Sequence, residues 1–478
     1  MSTQSTQKKN LSFILGILIL QVGMNVAQYG YTVPLASEVG KMNALPYYIL
    51  VAAQGTLGMM LILPIVGRLT AIFGQRNLIT AGVVVQFLGR IGMMLAPNWV
   101  ILMLCNLIQS IGGGLYTTAA YVLMTMACEP KDRVKYFGYI AVANAVGAIV
   151  GPMLASTLYA VGGVVGMLAY VCNLPLTVVG YIMIYKNCTN VKNPEAAKGF
   201  DYLGVILSVV GLACLVFWLN LAGKMISWIS VPSIVLLLAT VVSIAILIRR
   251  ELTIAAPALP LKMFKNKRLT SAFICSMAFS AYATCTTTYI VMWVSMNYAA
   301  LPGGTFFSGT YNMAQQLVIL ILGFFLGGYI GKKFTQRFRP FAVSAMIVAL
   351  AATLILCCLK FTGTAAGGDI VMVGAVPAGM LVIYLGSGLG GFTSVVVAST
   401  LPAFWQSNTA PAEIPAGQAL YSFGAMLGST LCNALAAAVL AGGTDYVRAF
   451  LVGTGFTLVG TVVALIFFRF SKEETAAN

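Results

Sequence analysis

The chain has 478 residues, 60% hydrophobic and 8% charged, with a mean hydropathy of +0.94 and a formal net charge of +16. No soluble core uses that much apolar sequence, so the class is a polytopic membrane protein. There is no histidine, and the ten cysteines show no metal-ligand spacing, which argues against an enzyme or a metal site.

A spanning helix needs about 20 mostly apolar residues. Fourteen such runs follow in order: 11–34, 46–66, 78–96, 98–127, 138–160, 162–185, 202–222, 231–248, 269–296, 306–330, 341–359, 370–400, 416–440 and 449–468. They are continuous rather than alternating, which selects helices over barrel strands. The leading MSTQSTQKKN is short, polar and basic. The run after it is too long for a signal-peptide core and lacks a cleavage site, so it reads as the first span. Lysine and arginine gather in alternate loops, from Lys8 and Lys9 through Arg68, Arg76, Lys131, Arg133 and Lys135 to Arg469 and Lys472. The other loops hold only Lys41, Lys224, Lys360 and Arg448. This positive-inside bias puts both termini in the cytoplasm and accounts for the basic charge without nucleic acid.

Polar cytoplasmic loops at 186–201 and 249–268 bracket a two-helix hairpin, 202–248. Without it, six helices are followed by six more. The expected division is residues 1–185, a first six-helix bundle; 186–268, the hairpin with its flanking loops; and 269–478, a second bundle with a short tail. The stretch GRLTAIFGQRN (67–77), after the second run, has a counterpart in GGYIGKKFTQRFRP (327–340).

These features resemble the major facilitator superfamily in its fourteen-helix branch, whose best-known members are drug:proton antiporters. Three stretches carry the resemblance: the loop at 67–77 with Gly67, Gly74 and Arg76; GAIVGPMLAS (147–156) with Gly147, Gly151 and Pro152; and the hairpin flanks FDYLGVILSVVGL (200–212) and PALPLKMF (257–264). The resemblance implies an all-α fold of two six-helix bundles plus the hairpin, in alternating access around a central site. On residue chemistry alone, the small residues at 147, 151, 155 and 156 serve close helix packing, and Pro152 bends its helix.

The chain departs from that family at its charges. Ala71 stands where the loop motif carries an acid, Asn25 where helix 1 carries aspartate, and Asn106 where helix 4 carries arginine. Every one of the eleven acids falls in an expected loop or tail. Intramembrane acids and histidines are the usual proton carriers, so coupling would fall to a rim acid, Glu38 or Glu413, or to none. A cation entering a low-dielectric pocket needs a counter-charge, so the substrate expected is neutral or anionic. The ion left in a span is Arg90, about 10 Å from the outer end of its helix, with Asn106 at about 13 Å. Two readings stand: a fixed positive charge for an anionic head group, or an arginine snorkelling to the outer interface.

Polar residues form stripes at helical spacing: Gln21, Asn25, Gln28 and Thr32; Asn106 with Gln109; Tyr282, Thr286, Tyr289 and Trp293; Asn312, Gln315 and Gln316; Gln418 beside Tyr421. By the resemblance these helices surround the central site. The expectation is a pocket of amides, hydroxyls and aromatics in which Tyr289 and Trp293 stack a flat apolar body. The function expected is secondary or facilitative transport of a small amphipathic molecule, neutral or anionic; because the resembled branch also includes bile-acid uptake permeases, the resemblance makes a bile-acid-like carboxylate one candidate. The alternatives are a proton-coupled multidrug exporter and a lipid- or sterol-binding receptor that transports nothing. No cofactor is expected. The partners are substrate, membrane lipid and, if coupled, protons, for a monomer in a bacterial inner membrane.

Overall fold

A computed structural model describes residues 2–44, 47–129, 132–188, 190, 201–222, 225–254, 260–298, 313–325, 338–363, 370–374, 376–440 and 447–467. Among them, thirteen helices are long and apolar enough to cross a membrane. The tenth expected run, 306–330, is described only as a shorter apolar helix, Met313–Phe325. Residues 327–337 of the repeat turn and most of the loop at 186–201 lie outside the described residues.

The first helices are α1 (Ser2–Gly30), α2 (Thr32–Lys41), α3 (Tyr48–Phe73), α4 (Gln75–Met94), α5 (Trp99–Thr117), α6 (Ala119–Ala127), α7 (Arg133–Val161), α8 (Gly163–Met167) and α9 (Leu174–Asn187). The hairpin is α10 (Tyr202–Leu221) and α11 (Val231–Thr253). Then come α12 (Lys267–Thr284), a π-helical turn at Cys285–Tyr289, α13 (Ile290–Tyr298), α14 (Met313–Phe325) and α15 (Phe338–Cys357). A two-stranded hairpin of β1 (Met372–Val373) and β2 (Val376–Pro377) precedes α16 (Ala378–Ser407), α17 (Ile414–Leu440) and α18 (Val447–Phe467).

Local sequence explains the boundaries. Asn98 accepts from Ile101 N (3.0 Å), Asp201 from Gly204 N (2.9 Å) and Asn266 from Arg268 N (3.0 Å), each satisfying an orphan amide at a helix start. The expected loop at 67–77 is corrected: α3 runs on to Phe73, and the chain turns at Gly74, whose φ of 81° suits glycine. The expected run at 370–400 is also trimmed, because its first residues pair as strands and the helix begins at Ala378. Pro152 lies inside an unbroken α7.

The chain separates into two compact units, Met1–Met263 with Thr409–Phe423, and Phe264–Asn408 with Gly424–Asn478. The hairpin belongs to the first, where α10 packs on α3. Arg250 Nε holds both Asp201 oxygens at 2.8 and 3.0 Å at one end of the hairpin. Trp218 Nε1 donates to Ser233 Oγ at 2.9 Å near the other. Glu251, expected in a loop, is corrected to the last turn of α11, with no exposed surface.

Candidate functional site

Helices α1 and α7 touch where their residues are small. A Cβ on Gly147 would lie 2.5 Å from Asn25 Cβ and 2.8 Å from Val22 O, and one on Gly151 would lie 2.8 Å from Val26 O. The GAIVGPMLAS glycines thus set the close approach of the two helices. That approach brings three amides together. Asn144 Oδ1 accepts from Gln21 Nε2 at 2.7 Å and from Asn25 Nδ2 at 2.8 Å, and Asn25 Nδ2 also donates to Gln21 O at 2.9 Å. Asn25 and Asn144 are half-buried, as is Gln28 one turn further along α1. Asn144 escaped the sequence reading; its one signal is an asparagine three residues before Gly147 in an apolar helix. Gly147→Leu is expected to force the helices apart and lower the thermal midpoint of the purified protein by several degrees, a large overpacking effect. An unchanged melting curve would mean that the approach is not tight.

A second polar group is sealed inside the same unit. Arg90 has no exposed surface. Its Nη1 donates to Tyr170 O (2.7 Å), and its Nη2 to Ala27 O (2.8 Å) and Gln109 Oε1 (3.3 Å), with the Tyr31 ring centroid 5.3 Å away. Gln109 Nε2 donates to Asn106 Oδ1 (2.8 Å), and Asn106 Nδ2 to Val51 O (2.7 Å). Arg90 therefore joins α1, α4, α5 and the turn holding Tyr170. The snorkelling reading is corrected: the guanidinium ends on backbone carbonyls rather than at an interface. Asn106 and Gln109, expected at the substrate, spend their amides on each other and on neighbouring helices, and both are buried.

The corner between α3 and α4 is closed by a residue of the following polar loop. Asn190 Oδ1 accepts from Arg76 N at 3.2 Å, and its Nδ2 donates to Phe73 O at 3.1 Å. Arg76 lies over the Tyr185 ring at 4.6 Å. A neutral amide thus holds a corner whose motif lacks its acid, Ala71 being a half-buried residue of the last turn of α3. A Cβ on Gly67 would lie 2.2 Å from Ala416 Cα. Gly74→Ala would place a methyl against Asn190 and demand an unfavourable positive φ. The expected loss is about 1–3 kcal/mol, read as a lower midpoint in thermal unfolding; no loss would show that the corner relaxes freely.

In the second unit, Tyr289 and Trp293 are buried in an apolar core with Met380, Ile383 and Phe450. The Tyr289 hydroxyl donates to Asn433 O at 3.0 Å. Trp293 meets Tyr298 edge-on at 5.1 Å. The structure thus packs these rings inside rather than along an open wall. Gln315 Nε2 donates to Ser394 Oγ at 3.4 Å, and the Oε1 atoms of Gln315 and Gln316 are buried without a partner. Asn312 lies outside the described residues. Gln418 and Tyr421 are buried on α17, in the stretch that joins the first unit.

The two rim acids differ. Glu38, on α2, is 7% exposed, and its Oε1 accepts from Lys41 Nζ at 2.7 Å and Tyr159 OH at 2.8 Å. Lys41's own interactions, with Glu38 first and Tyr159 second, hold its ammonium above the ordinary lysine range, so it stays charged. Glu413 is exposed on a single turn before α17.

A family model described as Major Facilitator Superfamily matches residues 10–387. Multidrug transporter protein MdtP of Bacillus subtilis (strain 168) is 22% identical over 74% of this chain and 64% of its own length. Multidrug resistance protein 3 of the same strain is 22% identical over 74% of this chain and 66% of its own length. Multidrug resistance protein Stp of Mycobacterium tuberculosis (strain CDC 1551 / Oshkosh) is 27% identical over 48% of this chain and 43% of its own. The chain thus spans less than two thirds of the length of these relatives. A bacterial homologue of the iron transporter ferroportin, in an outward-facing state, superposes with a TM-score of 0.62 at 13% identity, over 96% of this chain and 99% of that one. The human organic anion transporter MFSD10 (TETRAN) gives a TM-score of 0.57 at 14% identity, over the same shares. At such identities the likeness establishes the fold alone. Fold and family model agree: this multi-pass membrane chain belongs to the major facilitator superfamily, a family of transporters and not of enzymes.

Proposed function

We propose that the protein is a secondary transporter that exports small amphipathic molecules and favours neutral or anionic ones over cations. The relatives named for multidrug transport support export. Their names favour export over the bile-acid-like uptake and receptor readings. One observation carries the charge preference. Among the described residues, Arg90 lies within a span as a sealed cation and the buried acid Glu251 sits in the last turn of α11, while the half-buried polar surface at Asn25 and Asn144 is uncharged. A cation leaving water there would find amide oxygens but no carboxylate, and its desolvation would go largely uncompensated. The setting proposed is a bacterial inner membrane.

The test is transport in proteoliposomes, with a pH gradient and a membrane potential imposed separately. Nile red (neutral), anilinonaphthalene sulfonate (anionic) and ethidium (cationic) serve as probes. The expected result is movement of the first two and little of ethidium. Ethidium moving fastest would overturn the charge preference, and no movement of any probe would overturn the transporter reading.

A second reading concerns coupling. Glu38 is held in place by Tyr159 and Lys41 whereas Glu413 is exposed, so Glu38 is the rim acid we propose for coupling. Glu38→Gln is expected to abolish the response to an imposed pH gradient while leaving any response to membrane potential; Glu413→Gln should change neither. A pH-driven rate surviving in Glu38→Gln would remove this role.

A further inference from the structure

Resting on the reading that the chain binds small amphipathic molecules, we infer that Asn144, with Asn25 and Gln21, forms a subsite for an uncharged head group that both donates and accepts hydrogen bonds.

The hydrogen bonds fix the amide orientations. Asn144 Oδ1 takes two N–H donors, from Gln21 and Asn25, so its Nδ2 points away from both. Asn25 Nδ2 uses both of its hydrogens, on Gln21 O and Asn144 Oδ1, which leaves Asn25 Oδ1 as an acceptor. Among the described residues, neither Asn144 Nδ2 nor Asn25 Oδ1 makes a hydrogen bond, and neither is among the sealed polar atoms left without a partner. Both side chains are half-buried. The site therefore presents one N–H donor and one amide oxygen side by side, open to a visitor.

Its depth makes this informative. Asn144 lies about 16 Å along α7 from Arg133 and about 25 Å from Val161, well inside a hydrocarbon layer about 30 Å thick. Polar groups at such depth turn to protein or to a water-filled space rather than to lipid. Here they are only partly used by protein, and they are uncharged. Their complement is a carboxamide, a hydroxyl or a protonated acid. A carboxylate meets one donor but is repelled by the exposed oxygen, and a quaternary ammonium has neither an N–H for that oxygen nor a lone pair for the Asn144 donor. The glycines at 147 and 151 act here as positioning residues, since they bring α7 close enough to lock the Asn144 amide.

The test uses decanamide, decanoate and decyltrimethylammonium, which share a tail and differ in the head. Binding to the purified full chain in detergent is measured by calorimetry. The expected order places decanamide first, roughly tenfold tighter than the ammonium, as one or two net hydrogen bonds allow. Asn144→Asp keeps the oxygen that Gln21 and Asn25 donate to but removes the N–H donor. It should weaken decanamide and strengthen the ammonium. Asn144→Ala should weaken decanamide selectively. If all heads bind the wild type equally, or if both variants change every head by the same factor, Asn144 is a packing residue and the inference fails. Head-group selectivity without transport in vesicles would instead leave the subsite standing and remove the transporter reading.

Discussion

Asn25→Asp is expected to turn a poor carrier of ethidium into a good one. The substitution restores an acid where the family's first helix carries one, beside the half-buried amide of Asn144. A carboxylate about 5 Å from a bound cation contributes about 3 kcal/mol at an effective dielectric constant near 20, or roughly a hundredfold in affinity before desolvation takes its share. The introduced oxygens can no longer donate to Gln21 O or Asn144 Oδ1. The Asn144 amide must then turn over and offer its N–H, a cheap motion for a half-buried side chain. When no cation is bound, the variant's carboxylate has no counter-charge within the span. Protons then compete with the cation, so the gain should be largest at pH 8 and shrink towards pH 6. The measurement is ethidium efflux into inverted vesicles at both values, with Nile red as a control that should not respond. Equal ethidium rates in variant and wild type at pH 8 would show that missing charge is not what excludes cations.

The spans were legible because hydrocarbon thickness writes a strong, uniform signal, while the basic loops speak only to the expected orientation. The ends were less so. Nothing in GRLTAIFGQRN says that helix continues to Phe73, because Gly67 reads as a breaker while serving as a contact point for Ala416. At 370–377, apolar composition cannot distinguish a helix entry from a short hairpin, so the turn around Gly374 was hidden. The polar stripes were visible from spacing, but spacing does not say what a side chain meets. Asn25 was marked for its family position, whereas its partner Asn144 sits alone in an apolar helix and gains meaning only when Gly147 brings the two helices together. Asn190 likewise lies in a polar loop where asparagine is unremarked, and its capping of the α3–α4 corner is a long-range contact.

Arg90→Met is expected to lower stability by about 2–4 kcal/mol while leaving head-group preference almost untouched. Methionine matches much of the apolar stem, so the loss comes from the head. Tyr170 O, Ala27 O and Gln109 Oε1 would each lose a charge-assisted donor inside a sealed region. Set against this is relief from holding a buried cation that has no carboxylate partner. The bonds outweigh that relief, because the guanidinium already meets three oxygens and the face of Tyr31. Its Nε alone goes without a partner. Arg90→Lys should recover part of the loss, since one ammonium keeps the charge but cannot hold the same fork across carbonyls on two elements. Thermal unfolding of the purified protein, followed with the decyl head-group series, separates two roles. A lower midpoint with unchanged decanoate and decanamide affinities makes Arg90 the brace that joins α1, α4 and α5. Full stability with a selective loss of decanoate would instead show that the arginine leaves its carbonyls during the cycle and meets the anion itself.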